Sequence, residues 1–268
     1  MLNKIQGAFK MKGIILAGGK GIRLWPITAA INKHLVPVGN LPMIEYPLAT
    51  LDQIGVDSVS IVTGGEHFQD VGRYLAEVHP NMNFSYHAQR QAGGIAQALS
   101  LTEQFVKDGK VAVILGDNVF EQNFWEASNY FQNSTRGAMV FLKQVPDPQR
   151  FGVAEIQGGK IIGIEEKPKN PKSDLAVTGL YFYDSTVFDK IRTLKTSERG
   201  ELEVTDLNNA YLRQGNLGYH ILEGFWSDAG TYESRDVCAN FVKQGLEQRV
   251  ADRFDIRLGN PKQIQIVF

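Results

Sequence analysis

The sequence predicts an α/β protein built on a doubly wound, mostly parallel sheet. Through residues 12–115, short apolar runs alternate with amphipathic helical segments, an order typical of parallel strands joined by right-handed crossover helices. Two of the runs, Lys12–Ala17 and Val111–Leu115, are followed directly by glycine, as is common where buried strands enter a turn. Because ligands of such sheets bind at the carboxyl ends of the strands, we expect the functional residues there.

Strands and helices alternate along the first half of the chain. The first helix begins at Pro42, a residue tolerated at the first helical position, and ends before Gly55, with its apolar residues on one stripe. Pro47 lies inside this helix and is expected to bend it. The predicted strands are Lys12–Ala17, Val59–Thr63, Phe84–Ala88 and Val111–Leu115, and the predicted helices are Pro42–Ile54, Phe68–Val78 and Ile95–Phe105.

The second half of the chain has strands separated by turns rather than by long helices, so we expect it to be more antiparallel. These strands are Ala138–Lys143, Val153–Ile156, Ile161–Glu165 and Val177–Tyr183. Asp184–Leu194 and Thr205–Gln214 read as helices, and Thr231 caps a final helix containing Val237, Phe241 and Leu246.

Length and composition favour one large domain. The 268 residues suffice for a proper core, and no repeat, low-complexity tract or Pro/Ser-rich linker marks a boundary. We therefore predict a loose N-terminal extension at 1–10, a single domain at 11–245 and a C-terminal tail of unknown role at 246–268.

Several classes of protein are disfavoured by the same counts. The net charge of -1 argues against a protein that binds nucleic acid by bulk phosphate attraction, and no apolar stretch approaches the ~20 residues of a membrane span. The first ten residues lack the features of a secretory signal, and the single cysteine, Cys238, has no partner for a disulfide. We expect a cytoplasmic protein with no nucleic-acid or membrane partner.

The segment GIILAGGKGIRLWP, residues 13–26, suggests a phosphate-binding loop. It fits neither common nucleotide motif, because Leu24 stands where a dinucleotide fingerprint needs its third glycine and Gly19 stands where a P-loop needs lysine. Gly18, Gly19 and Gly21 could still turn N–H groups toward an anion, with charge supplied by Lys20, Arg23 and Lys33. A glycine turn with solvated cations explains the loop alone equally well.

Seven further segments, in order, resemble the sugar-phosphate nucleotidyltransferase family. They are INKHLVPVGNLPMIEYPLATL (31–51), GGIAQAL (93–99), LGDNVF (115–120), FGVAEI (151–156), EEKPKNPKSDLAVTGLYFYD (165–184), RGELEVTDLN (199–208) and FWSDAGTYES (225–234). The likeness spans about residues 11–245 and is closest to bacterial glucose-1-phosphate thymidylyltransferases. It implies a three-layer α/β/α, Rossmann-like nucleotidyltransferase fold of GT-A-like type, with a mixed, mostly parallel central sheet.

The resemblance also implies the reaction, the cofactor and the partners. Such enzymes join dTTP to glucose 1-phosphate with Mg²⁺, giving dTDP-glucose and pyrophosphate, and they are usually homo-oligomers, dimers or tetramers. Asp117 and Asp228 are implied to be the magnesium ligands, although each aspartate taken alone is better explained as a turn or cap residue. Nothing in their spacing pairs them.

Two groups of site residues follow from the same likeness. The implied nucleotide-binding residues are Leu16, Gly18, Gly19, Gly21, Arg23, Gln89, Gly94 and Asp117, with Arg23 and Lys33 gripping the triphosphate and Gln89 reading the base edge. The implied sugar-phosphate residues are Gly152, Glu166, Lys167, Val177, Tyr181, Arg199 and Trp226, with Lys167 and Arg199 on the phosphate. The implied catalytic residues are Arg23, Lys33, Asp117 and Lys167. Taken alone, EEKPKNPK reads as a solvated charged turn.

The sequence departs from the family pattern at three places, and the altered base loop leaves the nucleotide preference open. Ile22 replaces a usual threonine, His34 replaces glutamine, and QAGGIAQ replaces the common Pro-Asp-Gly form of the base loop. His34 has no chelating neighbour at metal-binding spacing, so we expect it to make a structural hydrogen bond. Longer relatives carry further C-terminal helices that build a regulatory site, and the tail RLGNPKQIQIVF matches none of them.

The alternatives are the same reaction with UTP, CTP or another sugar 1-phosphate, and a sensor that binds nucleotide sugars without catalysis.

Overall fold

The structure is a computed structural model that describes residues 11–64 and 68–258. The predicted extension at 1–10 and residues 259–268 of the predicted tail lie outside this range. The strands in the described part are β1 (Lys12–Ala17), β2 (Pro37–Val38), β3 (Leu41–Pro42), β4 (Val59–Thr63), β5 (Phe84–Ala88), β6 (Val111–Leu115), β7 (Asn118–Phe120), β8 (Ala138–Gln144), β9 (Gly152–Gln157), β10 (Lys160–Glu166), β11 (Leu175–Tyr183), β12 (Leu217–Ile221) and β13 (Trp226–Asp228).

The helices of the same range cover both faces of the sheet. They are α1 (Glu45–Ile54), α2 (Phe68–Val78), α3 (Ile95–Ser100), α4 (Glu103–Val106), α5 (Trp125–Asn133), α6 (Val187–Thr193), α7 (Val204–Arg213), α8 (Tyr232–Val242) and α9 (Leu246–Arg253). Within the described ranges, none of them is long and apolar enough to cross a membrane.

The central sheet is mixed, as predicted. Its order is β10-β9-β11-β6-β1-β4-β5, with β8 beside β11 and β12 beside β8. β1 lies between β4 and β6 and is parallel to both, and β5 is parallel to β4. The second half is antiparallel as expected, except that β12 runs parallel to β8.

Alternation along the strands builds two cores, one on each face of the sheet. In β1, Ile14 and Leu16 point to the core closed by α3, α6 and α7, whereas Ile15 and Ala17 point to the core closed by α1, α2 and α5. Helices therefore cover both faces, which confirms the three-layer α/β/α fold. The carboxyl ends of β1 and β6 remain free of this covering and open toward the glycine-rich loop.

A third core supports that loop. Leu24 of the loop and Val36, Val38 and Leu41 around the β2–β3 hairpin pack against α8 and α9. The hairpin is joined to α9 by Glu247, which is 4% exposed and accepts hydrogen bonds from Asn40 N at 3.2 Å and Asn40 Nδ2 at 2.6 Å. Part of the predicted tail is thus a helix packed beneath the loop.

Three helix predictions differ from the structure in their bounds. Pro42 pairs with Pro37 in the β2–β3 hairpin, so α1 begins at Glu45, and Pro47 then falls in the first turn, where no N–H is needed. The segment Ile95–Phe105 splits into α3 and α4 at Thr102, whose hydroxyl bonds back to the carbonyl of Leu99. The predicted final helix is two helices, α8 and α9, separated at Gly245, whose φ of 128° is not helical.

Replacing Glu247 should loosen the attachment of α9 to the hairpin. We expect Glu247→Ala to lower the free energy of unfolding by about 1–2 kcal/mol, because it removes two hydrogen bonds and leaves a gap against Gly39. Glu247→Gln keeps an acceptor for Asn40 and should lose less than half of that. Urea unfolding measures both. Equal losses in the two variants would show that the hydrogen bonds to Asn40 contribute nothing.

Candidate active site

Two acidic segments that are far apart in sequence lie side by side. Strand β7 pairs with β13 so that Asn118 is opposite Asp228, and Ala229 N donates to the carbonyl of Asp117 at 2.7 Å. The carboxylates of Asp117 and Asp228 are therefore brought to the same point at the end of β6. Neither strand of this pair was predicted, since each has only three residues.

Gly230 marks the point on which these carboxylates converge. A Cβ placed on Gly230 would lie 3.0 Å from Asp228 Oδ1, 3.4 Å from Asp117 Oδ2 and 2.9 Å from Arg23 Nη2. A side chain at this position would fill the space between the two acids and the guanidinium. The donor set, two carboxylates beside a site open to phosphate oxygens, suits Mg²⁺, which commonly takes one or two protein carboxylates.

The Asp117 carboxylate is held in its charged form by its neighbours. Lys33 Nζ donates to Asp117 Oδ2 at 2.5 Å, and Asn118 Nδ2 donates to Asp117 Oδ1 at 2.9 Å. Burial raises the pKa of Asp117, but the charge and hydrogen bond of Lys33, with smaller contributions from His34 and Asn118, outweigh it and lower the pKa to about 2. The Lys33 ammonium group therefore contacts Asp117, a candidate metal ligand, directly.

His34 is buried behind this pair. Its Nδ1 is 3.0 Å from Asn32 Oδ1, and its ring lies where a Cβ on Gly116 would stand. Burial, helped by the charge of Lys33, lowers the pKa of His34 to about 3, although Asp117 acts in the opposite direction. His34 is therefore a neutral packing residue with a structural hydrogen bond.

Asp228 is positioned by the start of α8. Its Oδ1 accepts hydrogen bonds from Gly230 N at 2.9 Å and from Ser234 Oγ at 3.1 Å. Ser234 also forms a capping box with Thr231, the residue predicted to cap this helix. The other carboxylate oxygen of Asp228, Oδ2, faces Arg150 Nη2 at 3.4 Å. The sequence did not predict this contact.

Gln89 lies beside the glycine-rich loop, as a residue of the nucleotide site should. A Cβ on Gly18 would be 2.5 Å from Gln89 Oε1, and Gln89 Nε2 donates to Gln97 Oε1 at 2.7 Å and to the carbonyl of Gly94 at 3.4 Å. Gln97 was not predicted. Leu16 is buried at the end of β1, and its carbonyl accepts from Gly116 N at 2.9 Å.

Positive φ angles in the loop explain two of its glycines. Gly19 has φ 96° and Gly21 has φ 62°, a region that side chains with a Cβ adopt rarely. Gly94, with φ 93°, has a further role, because a Cβ there would lie 2.6 Å from the carbonyl of Leu202. Close packing against Leu202 therefore requires glycine at 94.

All but one of the predicted sugar-phosphate residues line a cavity of about 600 Å³ next to the two carboxylates. Of the predicted residues, those that line it are Arg23, Asp117, Gly152, Glu166, Lys167, Val177, Tyr181, Trp226 and Asp228. Arg199 does not line it. Its guanidinium is paired with Glu203 at 2.7 Å and lies 3.4 Å from Glu166.

Lys167 has an unusual backbone conformation. Its φ is 45°, in the left-handed region, and its N–H donates to the carbonyl of Phe151 at 3.0 Å. Such conformations cost free energy and cluster at functional sites. Beside it, Glu166 accepts a hydrogen bond from Thr205 Oγ1 at 2.6 Å, which fixes the carboxylate at the cavity wall.

Asn118 joins both parts of the site and was not predicted as a site residue. It is 1% exposed, donates to Asp117, and accepts from Trp226 Nε1 at 2.7 Å and from Gly179 N at 3.0 Å through one oxygen. This bond holds Trp226, whose ring is tilted by 58° against that of Phe151 with 5.2 Å between the ring centroids. Asn118 therefore connects Asp117 by hydrogen bonds to Trp226 and Gly179, which line the cavity.

The close contact at Gly179 should be sensitive to a single methyl group. A Cβ there would lie 2.5 Å from Asn118 Oδ1, so we expect Gly179→Ala to displace Asn118 and to lower the free energy of unfolding by about 1–3 kcal/mol. Gly163→Ala in β10 is the matched control, since a Cβ there meets no atom of the described residues within 4 Å. Chemical denaturation measures both. Equal stability of the two variants would contradict the described packing.

Comparison with known proteins identifies the family of this chain. The Nucleotidyl transferase family matches residues 12–244. A glucose-1-phosphate thymidylyltransferase of Neisseria meningitidis is 45% identical over 238 residues, which are 87% of this chain and 83% of the relative. One from Mycobacterium tuberculosis is 40% identical over 258 residues, 93% of this chain and 90% of the relative.

Solved structures show the same fold. A Bacillus anthracis protein provisionally described as a glucose-1-phosphate thymidylyltransferase, solved with sucrose, has 50% identity and a TM-score of 0.80, and the match covers 93% of this chain and 98% of that one. A UDP-glucose pyrophosphorylase with UDP-glucose has a TM-score of 0.80 at 22% identity, covering 88% and 99%, and so shares the fold. The chain therefore belongs to the nucleotidyl transferase family, and it is a nucleotidyltransferase.

Proposed function

We propose that the protein transfers the nucleotidyl group of dTTP to glucose 1-phosphate, giving dTDP-glucose and pyrophosphate. The observation that carries the proposal is the convergence of Asp117, Asp228 and Arg23 on one point beside a cavity that also contains Lys167. Family relatives at 40–50% identity bear the name of this activity. Gln89 beside Gly18 supports a pyrimidine nucleotide, because a carboxamide offers both a donor and an acceptor.

In this reaction a phosphate oxygen of glucose 1-phosphate forms a bond to the α-phosphorus of dTTP. The bond from the α-phosphorus to the oxygen that bridges to the β-phosphorus breaks, and pyrophosphate leaves with that oxygen. Both reactants are polyanions, so the residues must chiefly hold and neutralise them. Positioning and electrostatic stabilisation therefore account for the rate.

Asp117 and Asp228 would hold Mg²⁺, which when bound supplies positive charge to the phosphate oxygens. Arg23 would bind the triphosphate and steady the leaving pyrophosphate, since its charge is permanent and its donors are forked. Lys33 would share that load and also keeps Asp117 ionised. Gly18, Gly19 and Gly21 would let the loop backbone approach the same phosphates.

Lys167 would hold the phosphate of glucose 1-phosphate close to the α-phosphorus. Glu166 and the backbone at Gly152 and Val177 would bind sugar hydroxyls, and Tyr181 and Trp226 would wall the cavity. For Arg199, the proposed second phosphate contact requires its pairing with Glu203 to open. Its contribution should accordingly be smaller than that of Lys167.

A substrate panel tests the proposal. We expect pyrophosphate release to be fastest with dTTP and glucose 1-phosphate, by at least about ten-fold in kcat/KM over CTP, because cytosine presents a different hydrogen-bonding edge to Gln89. The preference over UTP should be smaller, since uracil has the same edge as thymine and UTP differs from dTTP only in the missing 5-methyl group and the added 2'-hydroxyl. Equal or faster turnover with UTP or CTP would overturn the dTTP assignment. Nucleotide binding without pyrophosphate release for any pair would indicate a sensor.

Removing the lysine at the cavity should affect one substrate more than the other. We expect Lys167→Ala to raise the KM for glucose 1-phosphate by about ten-fold or more, with little change in the KM for dTTP, because it removes a charge-assisted contact to one phosphate. Lys172→Ala is the matched control, since Lys172 lies on the same segment, pairs with Glu155 and does not line the cavity. Initial-rate kinetics with each substrate varied give both constants. A selective loss of dTTP affinity would show that the cavity has been assigned to the wrong substrate.

A further inference from the structure

Arg150 is a second arginine at the two carboxylates, and no role in the reaction follows from the family likeness. It ends the short 3-10 turn Pro148–Arg150 just before β9 and lines the same cavity as Lys167. Its Nη1 donates to Asp147 Oδ2 at 2.8 Å, and its guanidinium lies 5.1 Å from the centre of the Phe151 ring. These two contacts hold the charged group at the cavity mouth.

The remaining contact of Arg150 is to a candidate metal ligand. Asp228 Oδ1 is satisfied by Gly230 and Ser234, whereas Asp228 Oδ2 faces Arg150 Nη2 at 3.4 Å. That distance is well beyond the roughly 2.7–2.9 Å of a strong charge-assisted hydrogen bond. The Arg150 side chain is also 42% exposed, so the pair is loose and costs little to open.

A divalent cation and this guanidinium would compete for Asp228. Both are positive, and their repulsion is strong at a few ångströms in a partly buried site. A cation bound to Asp228 would therefore displace Arg150 or weaken its contact. Arg150 would keep the Phe151 and Asp147 contacts that hold it at the cavity.

A displaced Arg150 guanidinium would be placed to bind a phosphate group in the same cavity. Gly152, two residues after Arg150, pairs with Glu166, and the carbonyl of Phe151 accepts from Lys167 N. Arg150 and Lys167 thus stand at the same end of the β9–β10 hairpin. A guanidinium there suits a phosphate monoester, which accepts forked donors.

We propose that Arg150 exchanges partners during the reaction cycle. It occupies Asp228 in the free enzyme, a divalent cation releases it, and it then binds the phosphate of the sugar 1-phosphate together with Lys167. The exchange rests on the proposed function. It also favours one order of binding, because the sugar phosphate obtains the Arg150 contact without having to break an ion pair only after the metal has arrived.

Metal binding without any substrate tests the first half. We expect Arg150→Ala to bind Mn²⁺ about five-fold more tightly than the wild type, because a competing ion pair of this kind changes an equilibrium constant by up to about five-fold. Electron paramagnetic resonance measures the Mn²⁺ affinity. Arg192→Ala is the control: it removes one arginine from a pair of carboxylates, Glu103 and Asp189, and does not line the cavity. It should leave Mn²⁺ binding unchanged. Asp228→Asn should weaken it.

Calorimetry with glucose 1-phosphate tests the second half. With Mn²⁺ at saturation, Arg150→Ala should bind the sugar phosphate about ten-fold more weakly than the wild type. Without metal the difference should shrink to about two-fold, because the phosphate must then open the Arg150–Asp228 pair itself, at a cost of up to about five-fold. Circular dichroism checks that the variants are folded. Unchanged or weaker Mn²⁺ binding by Arg150→Ala overturns the exchange, and so does unchanged sugar-phosphate affinity at saturating metal. Neither readout requires turnover, so a failure of the proposed reaction would be seen separately in the pyrophosphate assay.

Discussion

The pairing of β7 with β13 is the constraint on which the site depends. It holds the Asp117 and Asp228 carboxylates against the same glycine, although like charges a few ångströms apart repel strongly in a partly buried setting. The arrangement persists because cations face both acids: Lys33 on Asp117, Arg150 on Asp228, and Arg23 close to both. With Asn118 and Ser234 donating as well, the pair is preorganised for a cation without having to move.

The sequence predicted much of the framework because local patterns decide it. The parallel strands β1, β4, β5 and β6 are short apolar runs whose neighbours are fixed by right-handed crossovers, and the family likeness placed Asp117 at the end of one of them. Helix α5 was missed, since Trp125 and Tyr130 are exposed and break the apolar stripe. Strand β12 was missed because LGYHI is short and carries a glycine and a histidine between its apolar residues.

The site residues that escaped prediction act through partners distant in sequence. Asn118 reads as a turn residue until its bonds to Asp117, Gly179 and Trp226 are seen, and Arg150 reads as a solvated charge until Asp228 is found beside it. Arg199 shows the reverse case. Its family likeness predicted a phosphate contact, but the three glutamates around it hold the guanidinium at the rim.

One short segment, residues 202–205, links the loop beside Gln89 to the wall of the cavity. Leu202 N donates to the carbonyl of Gly93 at 2.8 Å, and Ala96 N donates to the carbonyl of Leu202 at 3.3 Å, so the loop beside Gln89 is tied to the start of α7. Three residues later Thr205 fixes Glu166 on the sugar side. A base that displaced the Gly93–Gly94 backbone would therefore shift Leu202, and with it the residues that position Glu166. Because the bonds between this loop and Leu202 are backbone hydrogen bonds, they do not depend on the side chains that replace the usual Pro-Asp-Gly loop, and the altered loop sequence QAGGIAQ is compatible with an intact sugar site.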